Sequence, residues 1–286
     1  MTKGATIRPP MAARRTAGPG SARQWRRRLR SRAFSWRAAV ASKSVRADIA
    51  CLVTCEHGGN RVPPEHAHRF VGLGDELAGH RGWDLGALEA AGDLALALEA
   101  EMVAATITRL LVDLNRSSGH PRLFSEATRG LPPQEREEIL CRYYYPHRNR
   151  VRGIVAGELS AGRRVLHIAV HSFTPVLSGV ERRVDVGLLY DPSCEAEARF
   201  CRLWQEALRK RDPVLSVRRN HPYKGVSDGL TTSLRQEFGP RYMGVELEIN
   251  QKFVAMDTTP GSGTWKRLCG TLTRSSQTAL ERLAQG

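Results

Sequence analysis

The chain has 286 residues, of which 41% are hydrophobic and 26% are charged. This composition supplies enough apolar side chains for a core, and it excludes an intrinsically disordered chain, a collagen-like chain and a coiled coil. No apolar run approaches the ~18 residues that a membrane-spanning helix needs, which predicts a soluble protein. The formal net charge of +15 is of the size found in nucleic-acid-binding proteins, so its position in the chain matters.

The excess positive charge lies at the amino-terminal end of the chain. Thirteen of the 44 Lys and Arg residues, and none of the 29 Asp and Glu residues, fall within residues 1–47. The other 31 basic and 29 acidic residues give residues 48–286 a net charge of about +2. We therefore predict a basic, disordered extension over 1–47, similar in composition to a transit peptide or a nucleic-acid-binding arm, and a single domain over 48–286. Nucleic-acid binding is disfavoured for the domain and stays open for the extension.

The six cysteines are scattered along the chain and have no Cys-x-x-Cys spacing. This pattern disfavours both a disulfide framework and a zinc knuckle. It is typical of thiols in a reducing compartment, which predicts a cytoplasmic protein.

Apolar runs and segments of helical periodicity alternate along the predicted domain. In chain order the predicted elements are strand 49–54, helix 85–102, strands 103–107 and 110–114, helix 132–158, strands 165–170 and 184–190, helix 194–210, strand 214–217, helix 231–238, strand 244–249 and helix 263–283. Pro146 is expected to kink or divide the second of these helices. The alternation predicts an α/β fold with a mostly parallel central sheet and helices on both faces.

Polar side chains cluster at the ends of four predicted strands. His57 and His171 follow apolar strands, Asp113 lies near the end of a third, and Glu246 and Glu248 lie in the last strand. Because the carboxyl ends of parallel strands meet at one edge of a sheet, we expect these side chains to border one crevice.

The histidines and acids allow a metal site, although each residue also has a structural interpretation. His57 and His171 are either hydrogen-bonded strand-end histidines or ligands, since catalytic zinc uses three nitrogen or oxygen ligands. Spacing alone favours Asp84 as the N-cap of the helix that follows it. Glu246 and Glu248 share one face of their strand, either as a half-exposed surface or as a general base with a neighbouring carboxylate.

Four arginines lie near predicted strand or helix ends, namely Arg116, Arg148, Arg182 and Arg183. A guanidinium binds a carboxylate through two parallel hydrogen bonds, so these residues suit an acidic substrate. Each of them alone is most often a surface arginine.

Six motifs then occur in a fixed order: Thr54-Cys55-Glu56-His57-Gly58-Gly59-Asn60-Arg61-Val62-Pro63, Trp83-Asp84-Leu85-Gly86-Ala87, Val112-Asp113-Leu114-Asn115-Arg116-Ser117, Tyr144-Tyr145-Pro146-His147-Arg148, His171-Ser172-Phe173-Thr174-Pro175 and Val245-Glu246-Leu247-Glu248-Ile249-Asn250. Together they resemble the N-formylglutamate amidohydrolase family over about residues 48–255. The ordered set is specific, although each motif alone is not.

The resemblance implies a fold similar to that of zinc-dependent exopeptidases, and hydrolysis of the N-formyl amide of an acidic amino acid. It implies that zinc binds to His57, Asp84 and His171, and that Glu248 is the general base, with Glu246 as the alternative. It also implies that Arg116, with Asn115, binds a substrate carboxylate. Together with the arginines near element ends, the predicted substrate-binding residues are Asn115, Arg116, Arg148 and Arg183.

Other functions stay open from the sequence. The motif at Glu56-His57-Gly58-Gly59 departs from the Pro-His-Ser-Gly of the histidine-degradation enzymes in this family, which bears on the substrate more than on the chemistry. The alternatives are a zinc hydrolase acting on another N-acyl amino acid or a peptide-like cell-wall amide, and a nucleic-acid-binding protein that uses its basic extension.

Overall fold

A computed structural model of the protein describes residues 48–256 and 263–285. The predicted basic extension and its nucleic-acid role lie outside the described residues, so the division at residue 47 stays a prediction. None of the described helices is long and apolar enough to cross a membrane.

A six-stranded sheet with the order β2-β1-β3-β8-β6-β7 forms the centre of the fold. Its strands are β1 (Ile49–Cys55), β2 (Glu101–Ala104), β3 (Arg164–Phe173), β6 (Val186–Leu189), β7 (Val217–Arg219) and β8 (Tyr242–Asn250), and β4 (Val176–Leu177) and β5 (Val180–Glu181) form a separate hairpin. The first four strands in the sheet order are parallel, whereas β6 runs antiparallel to β8. The central strands β3 and β8 are buried along nearly their whole length, as strands covered on both faces must be.

Helices cover both faces of this sheet. They are α1 (Gly74–Ala78), α2 (Ala87–Leu98), α3 (Pro133–Ile139), α4 (Tyr145–Ser160), α5 (Glu195–Arg211), α6 (Leu230–Phe238), α7 (Lys252–Met256) and α8 (Thr264–Ala284). Helices α2, α5 and α8 pack on one face of the sheet through residues such as Leu94, Trp204 and Leu272. Helices α4 and α6 pack on the other face, where Val151 and Leu234 lie against it.

The connections place a crevice between β1 and β3. From β1 the chain passes through α2 to β2 on one side, whereas after β3 it continues to the other side of the sheet. In open α/β sheets, the carboxyl ends of neighbouring strands whose connections diverge in this way form the binding crevice. His57 and His171 lie at this point.

The strand predicted at 110–114 is wrong, because this segment forms turns. Its apolar side chains instead fill a separate cluster, in which Leu111 and Leu114 pack with Ile139 and Tyr144. A short apolar run predicts burial but does not distinguish a strand from a buried loop. The loop can be buried because side-chain hydroxyls donate to its backbone carbonyls; for example, Thr128 Oγ1 donates to the Leu111 carbonyl at 3.0 Å.

The helix predicted at 132–158 is divided near Pro146, as expected. Helix α3 ends at Ile139, a turn of π-helix covers Leu140–Tyr144, and α4 then begins with Pro146 in its first turn. Pro146 has no amide hydrogen to donate, and it lies where the backbone changes from the π-helical to the α-helical pattern.

Candidate active site

Three segments that are distant in sequence deliver the proposed ligand residues. His57 follows the end of β1, His171 lies near the carboxyl end of β3, and Asp84 precedes α2. The Asp84 amide donates to the His57 carbonyl at 2.9 Å, which ties the two segments together. The N-cap interpretation of Asp84 is wrong, since α2 is preceded by Gly86 in the left-handed region and has no side-chain cap.

The Asp84 carboxylate lies between the two imidazole rings. Its Oδ2 atom is 3.3 Å from His57 Nδ1 and 3.0 Å from His171 Nδ1. Among the described residues, this trio is the group of potential metal-binding side chains whose ligand atoms lie within 4.8 Å of one another, and all three are buried. Two imidazole nitrogens and one carboxylate oxygen are the donor set of many catalytic zinc sites, so the residues fit that metal.

The outer nitrogen of each histidine faces a second carboxylate. His57 Nε2 is 2.7 Å from Asp113 Oδ1, and His171 Nε2 is 3.3 Å from Glu56 Oε2. On its other side, Asp113 contacts Arg109, and Glu56 lies near His147. Carboxylates in this position orient metal-binding histidines in many proteins.

Arg109 joins two acids of the cluster. Its guanidinium lies 2.8 Å from Asp113 Oδ2 and 3.4 Å from Asp84 Oδ1, so the Asp84 Oδ2 atom is the one directed at the histidines. Burial alone would raise the pKa values of Asp84 and Asp113. The pKa of Asp84 is instead lowered, by His57 and His171 first and by Arg109 after them. The pKa of Asp113 is lowered by Arg109 and then by His57.

The pKa of His171, near the carboxyl end of β3, depends strongly on these acids. Burial alone would lower the pKa of His171, but the hydrogen bond to Asp84 and the charges of Asp84, Glu56 and Glu248 raise it to about 10. The protonated form of His171 is therefore favoured between these carboxylates.

Glu248 and Glu246 project from β8 on the face that carries His171, which is paired in register with Glu248. Glu248 is buried, and its Oε2 atom has no hydrogen-bond partner. Burial, together with the charges of Asp84 and Glu246, raises its pKa to about 8, although His171 and Arg109 act in the opposite direction. Glu246, by contrast, accepts a hydrogen bond from Thr231 Oγ1 at 3.0 Å. Of these two glutamates, Glu248 is therefore the one with a buried carboxylate oxygen that no hydrogen bond occupies.

Asn115 and Arg116 lie at the edge of the cluster. Asn115 Nδ2 is 3.4 Å from His171 Nε2, and its Oδ1 accepts from the Leu230 amide at 2.7 Å. Arg116 donates to the Asp228 carbonyl at 3.0 Å, and its Nε lies 3.9 Å from Asp113. The Arg116 side chain keeps 25% of its surface exposed, so it faces both the cluster and solvent.

The other predicted arginines have different surroundings. Arg148 donates to the carbonyls of Leu114 and Arg116, at 3.2 Å each, and to Ser233 Oγ at 2.8 Å, so it fixes the segment that carries Asn115. Arg183 is not brought to the cluster: its side chain is 89% exposed, and its ion pair is with Glu181.

Gly58 and Gly59, which follow His57, allow two backbone segments to lie close together. A Cβ atom at Gly59 would lie 2.7 Å from the Thr106 carbonyl oxygen, and one at Gly58 would lie 2.9 Å from that of Ala105. Residues 58–61 thereby run close beside 105–107, where the Arg61 amide donates to the Thr106 carbonyl at 3.0 Å. The two glycines are needed for backbone-to-backbone approach.

Sequence reasoning missed Arg109 and the pairing of Glu56 with His147. Nothing around Arg109 distinguishes it from a surface arginine, since its role depends on a loop that no periodicity predicts. Glu56 and His147 both lie within the six ordered motifs, and their presence there was the available signal.

Comparisons with known proteins agree with this architecture. Residues 49–255 match the model of the N-formylglutamate amidohydrolase family. The crystal structure of the gene product Atu2144 from Agrobacterium tumefaciens is similar with a TM-score of 0.69 and 29% sequence identity, over 84% of this chain and 94% of that chain. No curated protein matches the chain significantly.

Two further solved structures are similar at lower identity. N-formylglutamate amidohydrolase from Ralstonia eutropha JMP134 has a TM-score of 0.58 and 18% identity, over 83% of this chain and 93% of that chain. A metallo-carboxypeptidase from Burkholderia cenocepacia has a TM-score of 0.37 and 14% identity, over 83% of this chain and 57% of that chain. The predicted α/β fold with a mostly parallel sheet is confirmed.

Proposed function

The chain belongs to the N-formylglutamate amidohydrolase family, and we propose that it is a zinc-dependent amidohydrolase that cleaves the N-acyl amide of an acidic amino acid such as N-formylglutamate. The observation that carries this proposal is the convergence of His57, Asp84 and His171 beside the uncommitted carboxylate oxygen of Glu248. Family membership supplies the amide-hydrolysing chemistry, and the geometry supports the roles given to individual residues.

The ligand set proposed for the metal is Nδ1 of His57, Nδ1 of His171 and Oδ2 of Asp84. A divalent ion held by these atoms supplies Lewis acidity to the acyl carbonyl and to the attacking water. Arg109 occupies Asp84 Oδ1, which leaves a single oxygen of that carboxylate for the metal.

Glu248 is proposed to move the proton. Its Oε2 atom accepts a proton from the attacking water as the water oxygen bonds to the acyl carbon. Glu248 then returns this proton to the amide nitrogen as the carbon–nitrogen bond breaks, so that a carboxylic acid and an amine leave. Glu246, whose carboxylate is held by Thr231, is not proposed as the base.

Arg116 is proposed to bind a substrate carboxylate, with Asn115 beside it. Arg116 keeps an exposed face and lies 3.9 Å from Asp113, whereas Arg109 is engaged with both Asp84 and Asp113. A guanidinium pairs with a carboxylate through two hydrogen bonds. Arg148 stabilises this segment by donating hydrogen bonds to the backbone carbonyls of Leu114 and Arg116, on either side of Asn115.

Metal analysis combined with a substrate panel tests the proposal. We expect about one zinc ion per wild-type chain and its loss in His57→Ala and His171→Ala, whereas His68→Ala, which removes an exposed histidine, retains it. N-formylglutamate is then compared with N-acetylglutamate, N-formylleucine and a short peptide.

The panel separates the chemistry from the substrate. Turnover of N-formylglutamate above the other compounds supports the full proposal, and turnover of another N-acyl or peptide amide keeps the hydrolase but changes its substrate. Full zinc content in both histidine variants would show that the metal site is wrong.

A further inference from the structure

Glu56 is a buried carboxylate that the proposed reaction does not use. It directly precedes His57, and its side chain has no exposed surface. One oxygen lies 3.3 Å from His171 Nε2 and the other 3.6 Å from His147 Nε2, so each oxygen faces one imidazole. A buried carboxylate without donors is costly, so these two nitrogens are the groups expected to supply protons to it.

Glu56 faces the nitrogen of His171 that lies outside the proposed ligand group. Without a metal, Nδ1 of His171 donates to Asp84 Oδ2, 3.0 Å away. When a metal ion takes the place of that proton, the remaining proton lies on Nε2, which faces Glu56. A neutral imidazole can bind a metal only through the nitrogen without a proton. The Glu56 contact therefore selects the nitrogen that lies within the ligand group.

A second set of buried polar groups continues behind Glu56. Tyr242 OH is 2.6 Å from His167 Nδ1, and His167 Nε2 is 2.8 Å from Thr54 Oγ1. Thr54 lies in β1, two residues before Glu56. If the Tyr242 hydroxyl donates to His167 and His167 donates to Thr54, then the Thr54 hydroxyl proton is left to point towards Glu56.

We propose that Glu56 is a positioning residue that holds His171 in the tautomer whose Nδ1 binds the metal, while His147 holds the carboxylate from its other side. This role rests on the proposed metal site and goes beyond it, because it assigns a function to a residue that contacts neither metal nor substrate. It makes Glu56 the counterpart of Asp113, which faces His57 Nε2 in the same way.

Two substitutions at Glu56 and one control test the proposal. Glu56→Leu removes the acceptor but keeps a buried side chain of similar size, whereas Glu56→Gln keeps a neutral acceptor. The control is Glu197→Gln, which alters another fully buried carboxylate, one that lies in α5 and pairs with Arg235. Zinc affinity is measured on the full chain by competition with a chromophoric chelator, and folding by circular dichroism and thermal unfolding.

A nitrogen-15 NMR spectrum adds a readout that a merely structural role would not move. The zinc-loaded wild-type protein should show a proton on His171 Nε2 that exchanges slowly with solvent, and this proton should exchange faster in zinc-loaded Glu56→Leu. We expect zinc affinity to fall about 10- to 100-fold in Glu56→Leu and by a smaller factor in Glu56→Gln. Glu197→Gln should unfold at a lower temperature yet bind zinc as the wild type does.

The outcomes separate this role from the proposed function. A wild-type chain that binds zinc, together with unchanged affinity in Glu56→Leu, would overturn the role of Glu56 alone. An equal fall of zinc affinity in Glu197→Gln would also overturn that role, since general destabilisation would then explain the loss. A wild-type chain that binds no zinc would overturn both.

Discussion

His167 lies in the apolar layer between the sheet and helices α4 and α6, and it should make the stability of the protein depend on pH. The ring is fully buried, and burial is the main reason why its pKa is lowered to about 4 from an ordinary value near 6.5. Glu56 acts in the opposite direction, and His147, His171 and Arg235 add to the lowering.

The sign of the effect follows from proton binding. Between pH 6.5 and pH 4 the unfolded chain protonates this histidine and the folded chain does not, so stability falls as the pH decreases. For pKa values of about 4 and 6.5, the loss between pH 7.5 and pH 5 amounts to about 2 kcal/mol. At pH 7.5 and above, the contribution is constant.

The comparison of the wild type with His167→Gln isolates this group, because glutamine offers an amide in place of Nε2 but does not titrate. The pKa values of His171 and Glu248 are raised, so these two groups stabilise the folded protein more as the pH falls. This effect opposes that of His167, and it is present in both proteins. The quantity to measure is therefore the difference between the two free energies of unfolding, from urea titrations at several pH values. A chelator is included, since metal affinity itself depends on pH.

We expect the advantage of the wild type over His167→Gln to shrink by about 2 kcal/mol between pH 7.5 and pH 5. If the two stability curves stay parallel across this range, His167 is protonated to the same extent in both states. The reasoning from burial and hydrogen bonding would then be wrong.

Three further predictions concern the site and the core. Glu248→Gln should lower kcat roughly 10²- to 10⁴-fold with the bound metal retained, whereas Glu246→Gln should have a much smaller effect; equal losses in kinetic assays would contradict the choice of base. Arg116→Ala should raise KM about 10- to 100-fold, the value of a charge-assisted hydrogen bond, and Arg183→Ala, which alters an exposed side chain, should leave KM unchanged; the reverse order would refute the assignment. Trp204→Ala should lower the free energy of unfolding by about 3–5 kcal/mol, because the ring is fully buried; urea unfolding with a change below about 1 kcal/mol would contradict this.

The elements of the sheet were predictable because their apolar runs are uninterrupted. The strands at β1, β3 and β8 were placed to within a few residues, and the same-face position of Glu246 and Glu248 follows from the two-residue period of a strand. The antiparallel direction of β6 relative to β8 was not predictable, because a buried strand has the same composition in either direction.

The site was predictable only as far as it lies on strands. His57 and His171 could be placed at one sheet edge, but the orientation of Asp84 is set by a loop, and local spacing favoured a cap that the structure does not contain. The position of Arg109 was not predictable for the same reason. It lies in residues 105–131, whose conformation depends on packing against α3 and the π-helical turn. The resemblance of the ordered motifs supplied what periodicity could not, including the choice of Asp84 as a ligand.

The apolar cluster around Leu111 has a consequence for how new activities arise in this architecture. The ends of β1 and β3 carry the two proposed histidine ligands and β8 carries the proposed base, whereas the loop packed on that cluster carries Asn115 and Arg116, the groups proposed to bind the substrate. The hydrolytic centre and the recognition element thus belong to separate packing units that adjoin at Asp113. If these proposed roles hold, we expect a replacement loop that keeps Asp113 and Arg109 to change the substrate preference without a change in the sheet.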